Sequence, residues 1–183
     1  TFNFRSLFIA LAVALPMAAS APAFAASKAD LESSSKAALN QLVSQNPGAK
    51  ALNAKAVAVL VFPKVTKAGL GVGGQFGEGV LWRKGKAAGY YNTAGASYGL
   101  QAGAQQFGYA MFFMNQKALD SLGSTEGFEV GVGPSVVVMD EGKAKNVTSG
   151  TLTEDIYAFI FSQKGLMAGL GIQGNKITRI AAK

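Results

Sequence analysis

Between Gly69 and Trp82 the chain alternates. Leu70, Val72, Phe76, Val80 and Trp82 fall on one parity, and Gly69, Gly71, Gly73, Gly77 and Gly79 on the other. Side chains in a strand point to opposite faces with period two. The pattern therefore predicts a strand with one apolar face and one face of nearly bare backbone. Ahead of it, AVAVLVF at 56–62 is an unbroken apolar run ended by Pro63, which predicts a separate buried strand. One-sided glycine recurs at Gly89, Gly95, Gly99 and Gly103, at Gly127, Gly131 and Gly133, and at Gly165, Gly169 and Gly171. Such faces let another backbone layer approach closely, as in tightly curved or closed sheets.

Turn signals at Arg83–Lys86, Asp140–Lys143, Lys164–Gly165 and Gly174–Asn175 separate further strands. Residues 27–46 carry Leu31, Ala38, Leu39, Leu42 and Val43 at helical spacing, with Ser27 as N-cap, until Asn46-Pro47-Gly48 stops the helix. Two roles fit its thin apolar stripe: covering a face or edge of its own sheet, or dipping into a membrane surface. NQKALDSL at 115–122 predicts one short helix. The fold class is mainly β (α+β): a curved antiparallel β-sandwich or barrel with an N-terminal helix and one short inserted helix.

Glycine, at 23 of 183 residues, is about twice its usual share, in keeping with closely packed extended backbone. Histidine and cysteine are both absent. That removes Ser-His-Asp triads, cysteine nucleophiles and nitrogen or sulfur zinc sites. The glycines of 69–79 lack the lysine and hydroxyl of a P-loop. Gly69, Gly71 and Gly74 approach the dinucleotide spacing only inside an alternating strand. A carboxylate pair is the remaining catalytic option, with Glu78, Glu126 and Glu129 near glycine-rich segments. Glu78 reads more simply as a carboxylate at a strand end or paired with lysine. No enzymatic activity, cofactor or metal is expected.

The first residues read as an export signal. Arg5 precedes the apolar run 7–15, Pro16 interrupts it, and Ala23-Phe24-Ala25 supplies a small-residue cleavage site. Nine apolar residues are too few for a hydrocarbon core that needs about twenty. The expected organisation is a signal peptide at 1–25, an N-terminal helix at 26–46 and a β domain at 47–183. Export to a periplasmic or secreted location makes nucleic acid an unexpected partner. A formal charge of +7 favours polyanions such as phospholipid head groups. A transmembrane β-barrel also fits the alternation, although glycine and alanine would make a poor lipid-facing band.

The run AVAVLVFPKVTKAGLGVGGQFGEGVL, then GYYNTAGASYGLQAGAQ, GFEVGVGPSVVV and KGLMAGLGIQGNKITRI, resembles the SYLF domain family over roughly residues 45–180. That family is also described as a lipid-binding and actin-binding domain. The resemblance implies binding of phospholipids, notably phosphoinositides, and in eukaryotic members association with actin. For an exported chain, a generic anionic phospholipid surface is the expected partner and actin is not.

Counting the strands as an up-and-down meander places the Arg83–Lys86 turn beside Lys50 and Lys55, which lead into the first strand. Lys143, Lys145, Lys164 and Lys183 fall at the same end, and Lys64, Lys67, Lys117 and Lys176 at the other, among Asp120, Glu126, Glu154 and Asp155. Lys50, Lys55, Arg83, Lys84 and Lys86 then form a basic pole, with Trp82 as an interfacial anchor beside it. The expected function is phospholipid binding at anionic membrane surfaces. The alternative is a cell-envelope structural or protein-interaction scaffold. The oligomeric state stays open.

Overall fold

The computed structural model describes residues 27–124, 126–147, 152–162, 165–166 and 171–181, without the side chains of 70–71 and 98–103. The expected signal peptide, and Lys164, Gly169 and Lys183 of the later stretches, lie outside the described residues. The fold is mostly β, a curled half-barrel sheet with an N-terminal helix and a few short helices, as expected.

Two very long strands dominate. β1 (Ala58–Arg83) and β2 (Lys86–Phe113) pair antiparallel along their whole length, from Ala58 opposite Phe113 to Arg83 opposite Lys86. The expected break at Pro63 is therefore absent. Pro63 falls in a register shift between Phe62 and Val65 on a strand whose only described pairing is with β2. A bulge on an edge is where a residue without an N–H can sit inside a strand.

What turns the chain back is a bend within the ribbon. Gly69 adopts φ +145, and a second register shift lies between Leu70 and Gly71, where β2 carries extra residues. Beyond it β1 folds over its own first half. A Cβ added to Gly73 would lie 1.8 Å from the Ala68 carbonyl, one on Gly77 2.7 Å from Lys64 O, and one on Gly79 2.5 Å from Val61 O. The contacts step outwards from the bend, as they must when one strand doubles back on itself. The glycine face predicted to accept another backbone layer does so, and the layer is the same strand.

The remaining strands join β2. Its first half pairs β7 (Lys176–Ile180) through Tyr90–Ala94, and its second half pairs β5 (Ile156–Ser162) through Gly108–Phe113. β3 (Phe128–Glu129) extends the sheet beyond β7, while β6 (Gly165–Leu166) pairs β5. β4 (Val136–Met139) pairs β5 in parallel, so the sheet is not an up-and-down meander. The stretch expected as a turn at 140–143 instead opens a short helix, α4 (Glu141–Lys145), whose N-cap Asp140 accepts from the Lys143 N–H at 2.8 Å. A parallel pair requires such a crossover.

Residues 58–62 are buried on both faces. One face joins Leu60 and Phe62 with Leu81, Tyr91, Tyr109 and Ile177. The other joins Val59 and Val61 with Leu42, Leu52, Phe112 and Phe159. This two-sided burial explains why the stretch reads as a continuous apolar run.

The N-terminal helix α1 (Lys28–Gln45) covers its own sheet, which decides between the two roles its sequence allowed. Ser35 is fully buried and accepts the Trp82 indole N–H at 2.8 Å, while the Tyr90 hydroxyl donates to Glu32. Asn46-Pro47-Gly48 ends α1 but starts α2 (Pro47–Lys55). Asn46 caps both helices, accepting from the Ala49 N–H at 3.0 Å, and Pro47 occupies the first turn, where its missing N–H costs nothing. Lys50 and Lys55 thus lead into β1 on a helix and not on extended chain. α3 (Gln116–Asp120), extended by a 3-10 turn at Ser121–Gly123, occupies the predicted inserted helix.

Candidate functional site

The hairpin connecting β1 to β2 breaks two local rules at one place. Its two turn residues, Lys84 (φ +50) and Gly85 (φ +75), are both left-handed, the signature of a type I′ turn. Glycine suits that backbone, whereas asparagine or aspartate normally fills the first position. A left-handed lysine costs about 1–2 kcal/mol. Lys84 is the only non-glycine with positive φ among the described residues. In addition, Arg83 and Lys86 face each other across the pair, and like charges directly opposite are unfavourable. The result is three exposed cations within four residues. Arg83 is held by donating from Nη2 to the Gln116 side-chain oxygen of α3 at 3.0 Å.

Because the ribbon doubles back, this turn returns to the start of β1. Arg83, Lys84 and Gly85 share a groove of about 440 Å³ with Val57, Ala58 and Val59, with Leu39 and Asn40 of α1, and with Asn53 of α2. Trp82 forms a wall. Its ring lies 5.6 Å from the Lys36 ammonium, and its N–H is committed to Ser35. Trp82 is therefore built into the junction of α1 and β1 rather than standing clear of the turn. The groove combines an apolar floor with a rim of Lys36, Arg83 and Lys84.

Of the six residues expected at the basic pole, Trp82, Arg83 and Lys84 line this groove, and Lys86 is the exposed partner of Arg83. Lys50 and Lys55 are exposed on α2 and do not line it. Lys36 was missed. Its signal was faint: Ser35, Lys36, Leu39 and Asn40 follow helical spacing, but a buried serine does not register in an apolar stripe. The meander count also misplaced α3. Lys117 and Asp120 were assigned to the opposite end, yet Gln116 bridges Arg83 to Asp120, donating to that carboxylate at 2.7 Å.

Among the described residues, Glu78, Glu126 and Glu129 form no group of three acidic side chains. Glu78 sits opposite Asn92, and Glu129 opposite Lys176. Among the described residues no cluster of acidic side chains could hold a metal ion. A buried polar network does exist. Gln75 Nε2 donates to Asn175 Oδ1 at 2.6 Å, Asn175 Nδ2 donates to Thr93 Oγ1 at 3.4 Å, and the Tyr109 hydroxyl donates to Thr93 Oγ1 at 2.5 Å. Burial pushes the Tyr109 phenol well above its ordinary value, so it stays neutral. The network ties the two halves of β2 together and leaves none of its buried polar atoms unpaired.

Residues 94–182 match the family described as Ysc84, Las17-binding protein actin regulator. Comparison with curated proteins gives no match. The matched segment starts in β2 and takes in every later element. The groove residues, 36–85, precede it.

Proposed function

From the premise that residues 94–182 belong to the Ysc84, or SYLF-type, family, we propose that this protein is an exported phospholipid-binding protein that associates with anionic membrane surfaces. Lipid and actin binding characterise the family. Of the two, the lipid suits a chain that opens on a signal-peptide pattern and is cleaved after Ala25. Its location is then periplasmic or secreted, peripheral on a membrane, with no catalytic step.

The observation that carries the reading is the Arg83–Lys86 hairpin. It maintains three cations against both a strained backbone and a like-charge pair, beside an apolar groove. Local cost concentrated at one exposed place is the mark of a functional site. A head-group phosphate would sit among Lys36, Arg83 and Lys84, with the first apolar carbons against Leu39 and Val57. Lys50, Lys55 and Lys86 add charge around it, and Trp82 forms the wall. Each such cation near an anionic surface contributes about 1 kcal/mol.

Co-sedimentation of the mature chain with phosphatidylglycerol-containing vesicles tests this. Wild type should bind and be released by salt, and Arg83→Glu, Lys84→Glu and Lys86→Glu together should abolish that salt-sensitive binding. A triple variant that binds like wild type would remove the hairpin from the site. No binding by the wild type would end the lipid reading and leave an envelope scaffold acting through protein contacts.

A further inference from the structure

Among the described residues an apolar surface away from the basic hairpin is left uncovered. Beyond the end of α1, the outward face of the folded-back ribbon carries Val72, Gly74 and Phe76 on β1, with Ala96 opposite Gly74 and Ala94 opposite Phe76. All five are exposed, Val72 to 66% and Phe76 to 51%. No charged residue occurs in 68–77 or anywhere in 87–116. Phe76 therefore rises from a flat strip of glycine and alanine that carries no charge of its own.

The inner face of the same stretch is pinned. Gly73 lies against Ala68, Gly77 against Lys64 and Val65, and Gln75 donates to Asn175 and to the Gly171 carbonyl. The inner side of the strip is thus filled at the bend, with no room to turn its side chains inward. A large apolar side chain kept exposed on a preorganised edge marks a contact surface.

We propose that this strip is a second, apolar membrane contact, at which Val72 and Phe76 enter the head-group and acyl boundary of a bilayer. It rests on the membrane-binding reading above but uses a different part of the molecule. A second copy of the chain fits less well. Five residues of a two-stranded ribbon cover on the order of 170 Å², against about 800 Å² per partner in a stable interface. Two molecules of net positive charge, +7 for the full sequence and one less without Arg5, also repel. A bilayer needs only the shallow burial of one aromatic and one aliphatic side chain. Glu78, two residues beyond Phe76 on the same parity, bounds the strip on the α1 side, and Lys176, opposite Ala94, borders it on β7.

The chain contains no cysteine, so single cysteines report single positions. Phe76→Cys and Ala87→Cys, each labelled with an environment-sensitive dye, place one probe on the strip and one beside the hairpin. Ala87 lies opposite Trp82, six residues or about 20 Å of strand from Phe76. With vesicles of equal phosphatidylcholine and phosphatidylglycerol, the dye at 76 should brighten and be quenched by lipids spin-labelled near the top of the acyl chain. The dye at 87 should escape that quenching. Unlabelled Phe76→Ser should keep the wild-type melting temperature and lose about tenfold in affinity for these vesicles at low salt. Co-sedimentation with a dye at 76 that behaves as in buffer would overturn the strip while sparing the hairpin reading. Brightening that follows protein concentration without vesicles, together with a dimer mass, would overturn it in favour of a second copy. Failure of the wild type to sediment would overturn both readings.

Discussion

The two halves of the β1–β2 ribbon have opposite compositions and one shared purpose. The half next to the strand start, Ala58–Val65 with Phe107–Phe113, is filled with large side chains, and Phe62, Tyr109, Met111, Phe112 and Phe113 are fully buried. The folded-back half carries Gly73, Gly77 and Gly79 on the facing side. One half supplies volume and the other supplies the space for it. Where Gly79 meets the Phe62 ring, a Cβ would come within 2.6 Å of Cδ1. Neither half would pack well against a copy of itself: two aromatic layers would stand too far apart, and two glycine layers would leave a void. Interiors are packed at crystal-like density, so the asymmetry fixes which surface meets which.

The sharpest way to break this complementarity is at the bend. In Gly73→Val the new Cβ would fall on the Ala68 carbonyl, which is backbone and cannot rotate away. Overpacking usually costs about 1–3 kcal/mol, and this position should exceed that range. The expected result is a large drop in melting temperature or failure to fold. Gly74→Ala, whose nearest neighbour would be 3.7 Å away, should melt like wild type. Equal behaviour of the two variants would mean that the halves do not touch.

A smaller effect sharpens the pairing of side chain with space. Gly79→Ala should cost about 1–3 kcal/mol. In a Phe62→Leu background part of that cost should disappear, because the ring that the new methyl strikes is gone. A urea-denaturation cycle over the four proteins should return a coupling of about 0.5 kcal/mol or more. Strict additivity would separate the two residues.

The smallest effect concerns α1, which covers the outer face of the glycine-rich half only at its hairpin end. Its hydrogen bond from Tyr90 to the Glu32 carboxylate pushes the phenol up to about 12, with burial and the negative charge of Glu32 adding to the shift. A raised folded-state value stabilises fully below the unfolded value near 10 and is lost as pH rises through about 12. Wild type should therefore melt above Tyr90→Phe at pH 8, and that advantage should vanish by pH 12. An advantage unchanged by pH would place the contribution in packing and not in the hydrogen bond.

The contrast between the hairpin and the bend follows from the same architecture. Folding the ribbon back carries Arg83 and Lys84 to Ala58 and builds the groove, while it leaves Val72 and Phe76 at the far turn of the chain. The hairpin cations were legible as a turn signal in the sequence. Their neighbours Lys36, Leu39 and Asn40 were not, because they come from an element separated by more than forty residues. Lys50 and Lys55 do lead into β1, but on a helix that the stop signal hid, for a local reason. Asn-Pro-Gly reads as a stop, yet asparagine followed by proline is also a helix start, and only the second reading accounts for α2.

The sequence by itself determined which stretches are extended, where the hairpin lies, the start of α1, and that the glycine parity must face something close. These are local properties: alternation, capping and turn chemistry act over a few residues and need no partner. Only the tertiary structure decided that the strand through Pro63 is continuous, that the layer facing the glycines is the first half of the same strand, and that Val72 and Phe76 stay outside. The parity rule distinguishes two faces but does not say which is covered. That is settled by what else is available to pack. Here α1 reaches Trp82 and Tyr90 at the hairpin end, where Val80 is buried, while Phe76 stays exposed, so one apolar parity is buried at one end of the strand and exposed at the other.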